Sequence, residues 1–124
     1  MLCGGAGADE LRGGGGSDQF HYEKITDSPP SGRDHILDFE STESDIISLS
    51  AIDANTKNGS ANNDAFVYIG ANVSFTGFAG QLRSYWTKDG WILEGDVNGD
   101  KKADMAIAIA DANHDINWGV SLIL

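Results

Sequence analysis

The chain has 124 residues, enough for one domain with a modest core, and its 19 acidic against 8 basic residues leave a formal charge of −11. That balance disfavours nucleic acid and anionic membrane surfaces as partners and favours cations. Cys3 is the single cysteine, which excludes a disulfide framework and a cysteine-based zinc site, and neither an 18-residue apolar run nor a basic-then-apolar leader occurs, so no membrane span and no Sec-type signal is indicated.

Met1-Leu2-Cys3 runs almost directly into a repeat, as the cut edge of a longer protein would. Residues 4 to 12 read GGAGADELR and residues 13 to 21 read GGGGSDQFH, so both fit the nine-residue pattern GGxGxDxUx with Leu11 and Phe20 as the large apolar residue. Leu2 sits nine residues before Leu11, like the tail of an earlier copy. Asp27 lies nine after Asp18, so Asp9, Asp18 and Asp27 keep the period after the glycines stop. From about Asp34 the texture changes to short apolar runs broken by turn residues, with no long 3.6-residue period. Strands are predicted over 36–39, 46–49, 65–69, 81–86, 91–93, 105–109 and the last few residues, with turns at Asn58-Gly59 and Asn98-Gly99-Asp100.

In a GGxGxD turn the glycines permit backbone angles closed to other residues, so several carbonyls turn inward while the aspartate supplies a carboxylate. Oxygen ligands of that kind suit a hard cation such as calcium. The following x-U-x forms a very short strand with one large side chain in the core, and stacked turns align their aspartates in a row. Without a cation, close carboxylates repel and the glycine-rich backbone is entropically costly to order. A pair of flexible glycine linkers is the alternative, against which stands the identical phase of aspartate and apolar residue in both copies. A nucleotide loop is excluded, because no GxGxxG register closes and no Gly-Lys-Ser/Thr follows.

Taken with the segments DSPPSGRDHILDF, SLSAIDAN, AFVYIG, FTGFAGQLR and EGDVNGDKKADM, the nonapeptides make the chain resemble the C-terminal region of serralysin-type secreted metalloproteases, part of the wider RTX group exported by type I secretion. The resemblance implies an all-β fold: a parallel β-roll end over residues 1–34 holding calcium ions, then an antiparallel β-rich cap over 35–124 with an uncleaved secretion signal at the extreme C-terminus. Carried over residue by residue, it implies metal positions at Gly4, Gly5, Ala6 and Gly7 with Asp9, at Gly13, Gly14, Gly15 and Gly16 with Asp18, and at Asp27 and Asp34. It implies calcium ions, the type I secretion apparatus and an N-terminal passenger domain as partners, with no nucleic acid and no membrane insertion, and a secreted, extracellular location. Cytosolic calcium is too low to fill sites of roughly 10⁻⁴ to 10⁻³ M affinity, so such a chain stays unfolded for export and folds outside.

Asp96, Asn98, Asp100 and Asp104 have the spacing of the start of an EF-hand loop, but position twelve of that frame is Ile107, so a hairpin turn is the favoured reading and a further calcium site the alternative. His21, His35 and His114 have no ligand spacing and no HExxH or GxSxG occurs, so this chain carries no catalytic apparatus, although its parent resembles a metalloendopeptidase. Trp86, Trp91, Trp118, Phe66, Phe75 and Phe78 are read as core, with an aromatic platform as the alternative. Two other functions stay open: the same module serving another exported RTX enzyme, such as a lipase or an alginate epimerase, and an independent adhesion module.

Overall fold

The computed structural model describes residues 2, 3, 5, 8–40, 43–55, 64–88, 90–110 and 118–124. The described residues are mostly strand and turn, in agreement with the all-β expectation, with one four-residue helix, α1 (Trp118–Ser121). The strands are β1 (Glu10–Leu11), β2 (Gln19–His21), β3 (Asp34–Ile36), β4 (Ile46–Ser48), β5 (Val67–Ala71), β6 (Gln81–Thr87), β7 (Gly90–Asp96), β8 (Met105–Ile109) and β9 (Leu122–Ile123). They form a six-stranded sheet in the order β1-β3-β8-β7-β6-β5 and a three-stranded sheet in the order β2-β4-β9.

The repeat explains how the chain enters these sheets. Each nonapeptide carries one large apolar residue, so each can contribute only one very short strand, and successive strands go to opposite sheets. Leu2 bridges Phe20 beside β2, β1 pairs in parallel with β3, and β2 pairs in parallel with β4. Leu2 and Phe20 stand eighteen residues apart, two repeat lengths. In the next layer the spacing lengthens to 25 residues between Asp9 and Asp34 and 27 between Asp18 and Asp45. The added residues form the connections from β2 to β3 and from β3 to β4. The first of these contains two short 3-10 turns, Ile25–Asp27 and Pro30–Gly32.

The rest of the six-stranded sheet is antiparallel only at β6-β7-β8; β3 joins β8 in parallel and β5 joins β6 in parallel. The three-stranded sheet is parallel throughout, because β9 returns alongside β4. The region after residue 34 is therefore mixed rather than antiparallel. Leu11, Phe20, Ile36, Ile47, Leu49, Leu82, Leu93, Met105, Ile107 and Ile109 fill one continuous core between the sheets, which crosses the expected division at residue 34. Burying each such side chain contributes about 1.5–3 kcal/mol.

Two strand bounds depart from the sequence reading for physical reasons. The strand expected over 91–93 runs on to Asp96, because Gly95 is a place of close approach: a Cβ there would lie 2.7 Å from the Phe66 ring. The strand expected over 36–39 ends at Ile36, and Phe39 turns inward to meet Phe20 at 6.1 Å between ring centroids. Trp91, Phe66 and Phe75 are core residues as expected, with Trp91 edge-on to both Trp86 and Trp118. Phe78 departs from that expectation and is 71% exposed.

Candidate metal centre

Alternation between sheets stacks the connecting turns along two rims. On the first rim Asp9 lies beside Asp34, since Glu10 and His35 are partners in the parallel ladder. Asp34 is fully buried; its Oδ1 accepts the Asp9 backbone N–H at 2.9 Å and its own N–H donates to Ser28 Oγ at 2.9 Å. Asp9 Oδ2, Asp34 Oδ2 and the Tyr22 hydroxyl are all buried without a hydrogen-bond partner of good geometry. Neither aspartate forms an ion pair with a Lys, Arg or His among the described residues.

Burial pushes the Asp34 carboxyl above the ordinary carboxylate range; the charges of Asp9 and Asp27 add to that, while the hydrogen bond from Asp9 N–H and the nearby Tyr22 hydroxyl oppose it. The Tyr22 phenol is raised too, first by burial and then by the charge of Asp34. Burial is the first cause of both shifts, and the neighbouring carboxylates add to it.

The second rim is arranged differently. Gly13 and Gly14 donate their N–H groups to the two oxygens of Asp38 at 2.8 and 2.7 Å, Gly16 donates to Glu43 Oε2 at 3.1 Å, and Asp18 N–H donates to Asp45 Oδ1 at 2.9 Å. Asp45 is buried and its Oδ2 accepts the Glu40 N–H, so both of its oxygens are engaged. Gly14 and Gly16 hold φ of +84° and +88°, which aims these amides at the next layer and is open to glycine at little cost. One carboxylate oxygen on this rim, Asp18 Oδ2, is buried without a partner. A Cβ on Gly13 would collide with that oxygen and lie 2.6 Å from Asp18 Cγ. Gly13→Ala is thus expected to displace the Asp18 carboxylate and lower the thermal transition by several degrees, checked by thermal unfolding against the parent chain.

The family described as "Peptidase M10 serralysin C terminal" matches residues 2–117. The chain belongs to this family. Membership is consistent with a non-catalytic module of a larger exported protein, and no helix among the described residues is long and apolar enough to cross a membrane. A search of curated proteins returned no match.

Within this serralysin C-terminal chain, the sequence-derived site residues divide as follows. Asp9 and Asp34 meet on the first rim, with Asp27 next to the buried Ser28 in the same connection; the Asp27 Oδ2 accepts the N–H groups of Glu23 and Lys24, both at 3.1 Å. Gly13, Gly14, Gly16 and Asp18 lie on the second rim, and Gly15 is open to solvent beside them. Gly5 has φ +74°, while Gly4, Ala6 and Gly7 fall outside the described residues, as do His114 and the Asn58-Gly59 turn. Asp38, Glu43 and Asp45 were missed. Asp45 had a signal, since it sits two repeat lengths after Asp27 in the phase of Asp9 and Asp18.

A third acidic group, Asp96, Asp100 and Asp104, brings one carboxylate oxygen from each residue within 4.8 Å of the others. The loop is the hairpin turn between antiparallel β7 and β8. Asp96 Oδ1 accepts from Asn98 and Gly99 and its Oδ2 from Lys101, while Asp104 Oδ2 accepts from Val97. Asp96 is therefore a turn-former whose oxygens the backbone already occupies. Asp96→Ala leaves up to three amides without their acceptor, so the thermal transition of the folded chain is expected to shift down by several degrees.

Proposed function

We propose that this chain is the calcium-dependent folding and export module of a larger secreted protein, in the manner of a serralysin-like metalloprotease whose catalytic part lies elsewhere in its parent. The observation that carries this reading is the pair of buried, unpartnered carboxylate oxygens Asp9 Oδ2 and Asp34 Oδ2 in one rim. Buried carboxylates without a counter-charge cost several kcal/mol, and a hard cation with oxygen ligands removes that cost. Asp9, Asp34 and Asp27, with carbonyls of the Gly4 to Gly7 turn, would hold calcium on the first rim; Asp18 with the Gly13 to Gly16 turn would do so on the second. Calcium bound there supplies the positive charge that this acidic chain lacks.

The winding of residues 1–34 between two sheets is the end of a parallel β-roll on this reading, and residues 35–124 form the β-rich cap with the export signal at its extreme end. Asp9 and Asp34 approach each other only when β1 and β3 pair, so the site exists in the folded state alone and calcium stabilises that state by mass action. Inside the cell the chain stays open for a type I apparatus, and outside it closes. Thermal unfolding tests this: about 10 mM calcium is expected to raise the transition by ten degrees or more over chelator, and magnesium by far less. An unchanged transition would refute the proposal.

A pH dependence follows from Asp34. Its pKa is raised on folding, so without calcium its contribution favours the folded state below the ordinary carboxylate range and is lost as pH rises through the raised value. Calcium needs the ionised carboxylate and acts in the opposite sense. In chelator the β signal is expected to increase on going from about pH 7 to pH 4.5, and the calcium-induced gain in stability to shrink over the same window. Circular dichroism at the two pH values checks both signs.

A further inference from the structure

The connection between β2 and β3 holds a fully buried serine that the calcium reading does not use. Ser28 Oγ donates a hydrogen bond to the Ala106 carbonyl and accepts the Asp34 N–H at 2.9 Å, and the Ser28 carbonyl accepts the Ala106 N–H at 2.9 Å. One residue thus grips β8 through two hydrogen bonds and the metal-rim aspartate through a third. β8 lies next to β7, which carries Trp91 in register with Ile109, and all three tryptophans of the chain lie at or beyond residue 86.

We infer that Ser28 is the positioning residue that joins the Asp9/Asp34 rim to the six-stranded sheet, so that filling the rim and ordering β8 happen as one event. The inference rests on the calcium reading above and adds to it the residue through which the two regions are coupled. Without the hydroxyl, the Asp34 N–H and the Ala106 carbonyl each lose a partner in a dry place, and the backbone that aims the Asp34 carboxylate at Asp9 is no longer tied to β8. Ser28 touches no ion on this account; it acts by holding Asp34.

The test follows two signals through a calcium titration of the full chain: tryptophan fluorescence for the sheet, and amide exchange at Asp9, Asp34 and Ala106 for the joint. In the parent chain, the three amides gain protection over the same calcium range in which the fluorescence changes. In Ser28→Ala, the midpoint for Asp9 and Asp34 moves up roughly tenfold and separates from the fluorescence transition, while Ser28→Thr, which keeps the hydroxyl, restores a single transition. An Ala106 amide already protected in chelator in the parent chain overturns the coupling without need of any variant. So does a Ser28→Ala chain whose transitions stay coincident at the parent midpoint. A parent chain with no calcium response at all sinks the calcium reading and this inference together, whereas a normal parent response with an unaltered Ser28→Ala chain sinks the inference alone.

Discussion

Asp34→Ala is expected to abolish calcium-driven folding at any calcium concentration near the parent midpoint. Asp34 is the second-layer partner of Asp9, fully buried, and its Oδ1 is the acceptor for the Asp9 N–H. Truncation removes a buried carboxylate, a ligand on the proposed reading, and at the same time orphans that amide, a loss of about 1–3 kcal/mol before any effect on an ion is counted. A shift of the midpoint by more than tenfold follows, since each factor of ten corresponds to about 1.4 kcal/mol. Asp34→Asn separates the two effects. It keeps an acceptor for Asp9 N–H but not the charge, so it is expected to lose the calcium response while retaining more β structure in chelator than the parent, because an unpaired buried charge has gone. Calorimetric calcium titration and circular dichroism in chelator read these two quantities independently.

The second large effect is purely structural. Gly90 opens β7 opposite Thr87, at φ +126°, and a Cβ there would strike the Ile109 carbonyl oxygen and come within 3.1 Å of Ala110 Cα. The obstruction is backbone on both counts, so no side-chain rotation relieves it. Gly90→Ala is expected to destabilise the domain by about 3 kcal/mol or more, lowering its thermal transition at saturating calcium by roughly ten degrees. The calcium dependence of the remaining fold should be of the same form, which distinguishes this defect from loss of a ligand. Urea unfolding at fixed calcium is the direct check.

The contrast between these two positions reflects which parts of the molecule were legible in the sequence. Leu11 and Phe20 announced themselves, because a nine-residue period leaves one apolar residue per copy and that residue has to face the core. β8 was legible for a similar reason: Met105 to Ile109 is apolar at every position, as a strand buried on both faces must be. The full length of β7 was hidden, because Glu94-Gly95-Asp96 looks like a turn until the Phe66 ring is seen filling the space over Gly95.

At the candidate site, periodicity found Asp9, Asp18 and Asp27 but could not say which second-layer residue faces which. The connections from β2 to β3 and β3 to β4 change the spacing, so strand pairing sets Asp34 against Asp9 and Asp45 against Asp18. Asp38 and Glu43 left no periodic trace. Their task is to accept amides from the glycine turn, which depends on how the next layer approaches and not on phase. Ser28 was equally silent, since its partners Asp34 and Ala106 are 6 and 78 residues away.

The two rims also suggest different tasks. On the second, Asp38, Glu43 and Asp45 meet the glycine turn with carboxylates that its amides already occupy, leaving one unpartnered oxygen at Asp18. On the first, two carboxylate oxygens, of Asp9 and Asp34, and the Tyr22 phenol are buried without a hydrogen-bond partner of good geometry. Calcium should therefore matter more at the first, and substitution at Asp9 should outweigh substitution at Asp18.

The most direct test of that account is a far-UV circular dichroism titration of the full chain from chelator to about 10 mM calcium, with Asp9→Ala and Asp18→Ala beside the parent. The expected result is a cooperative rise of β signal whose midpoint moves upward in both variants and further in Asp9→Ala. A spectrum already β-rich in chelator, indifferent to calcium and to both substitutions, would contradict it.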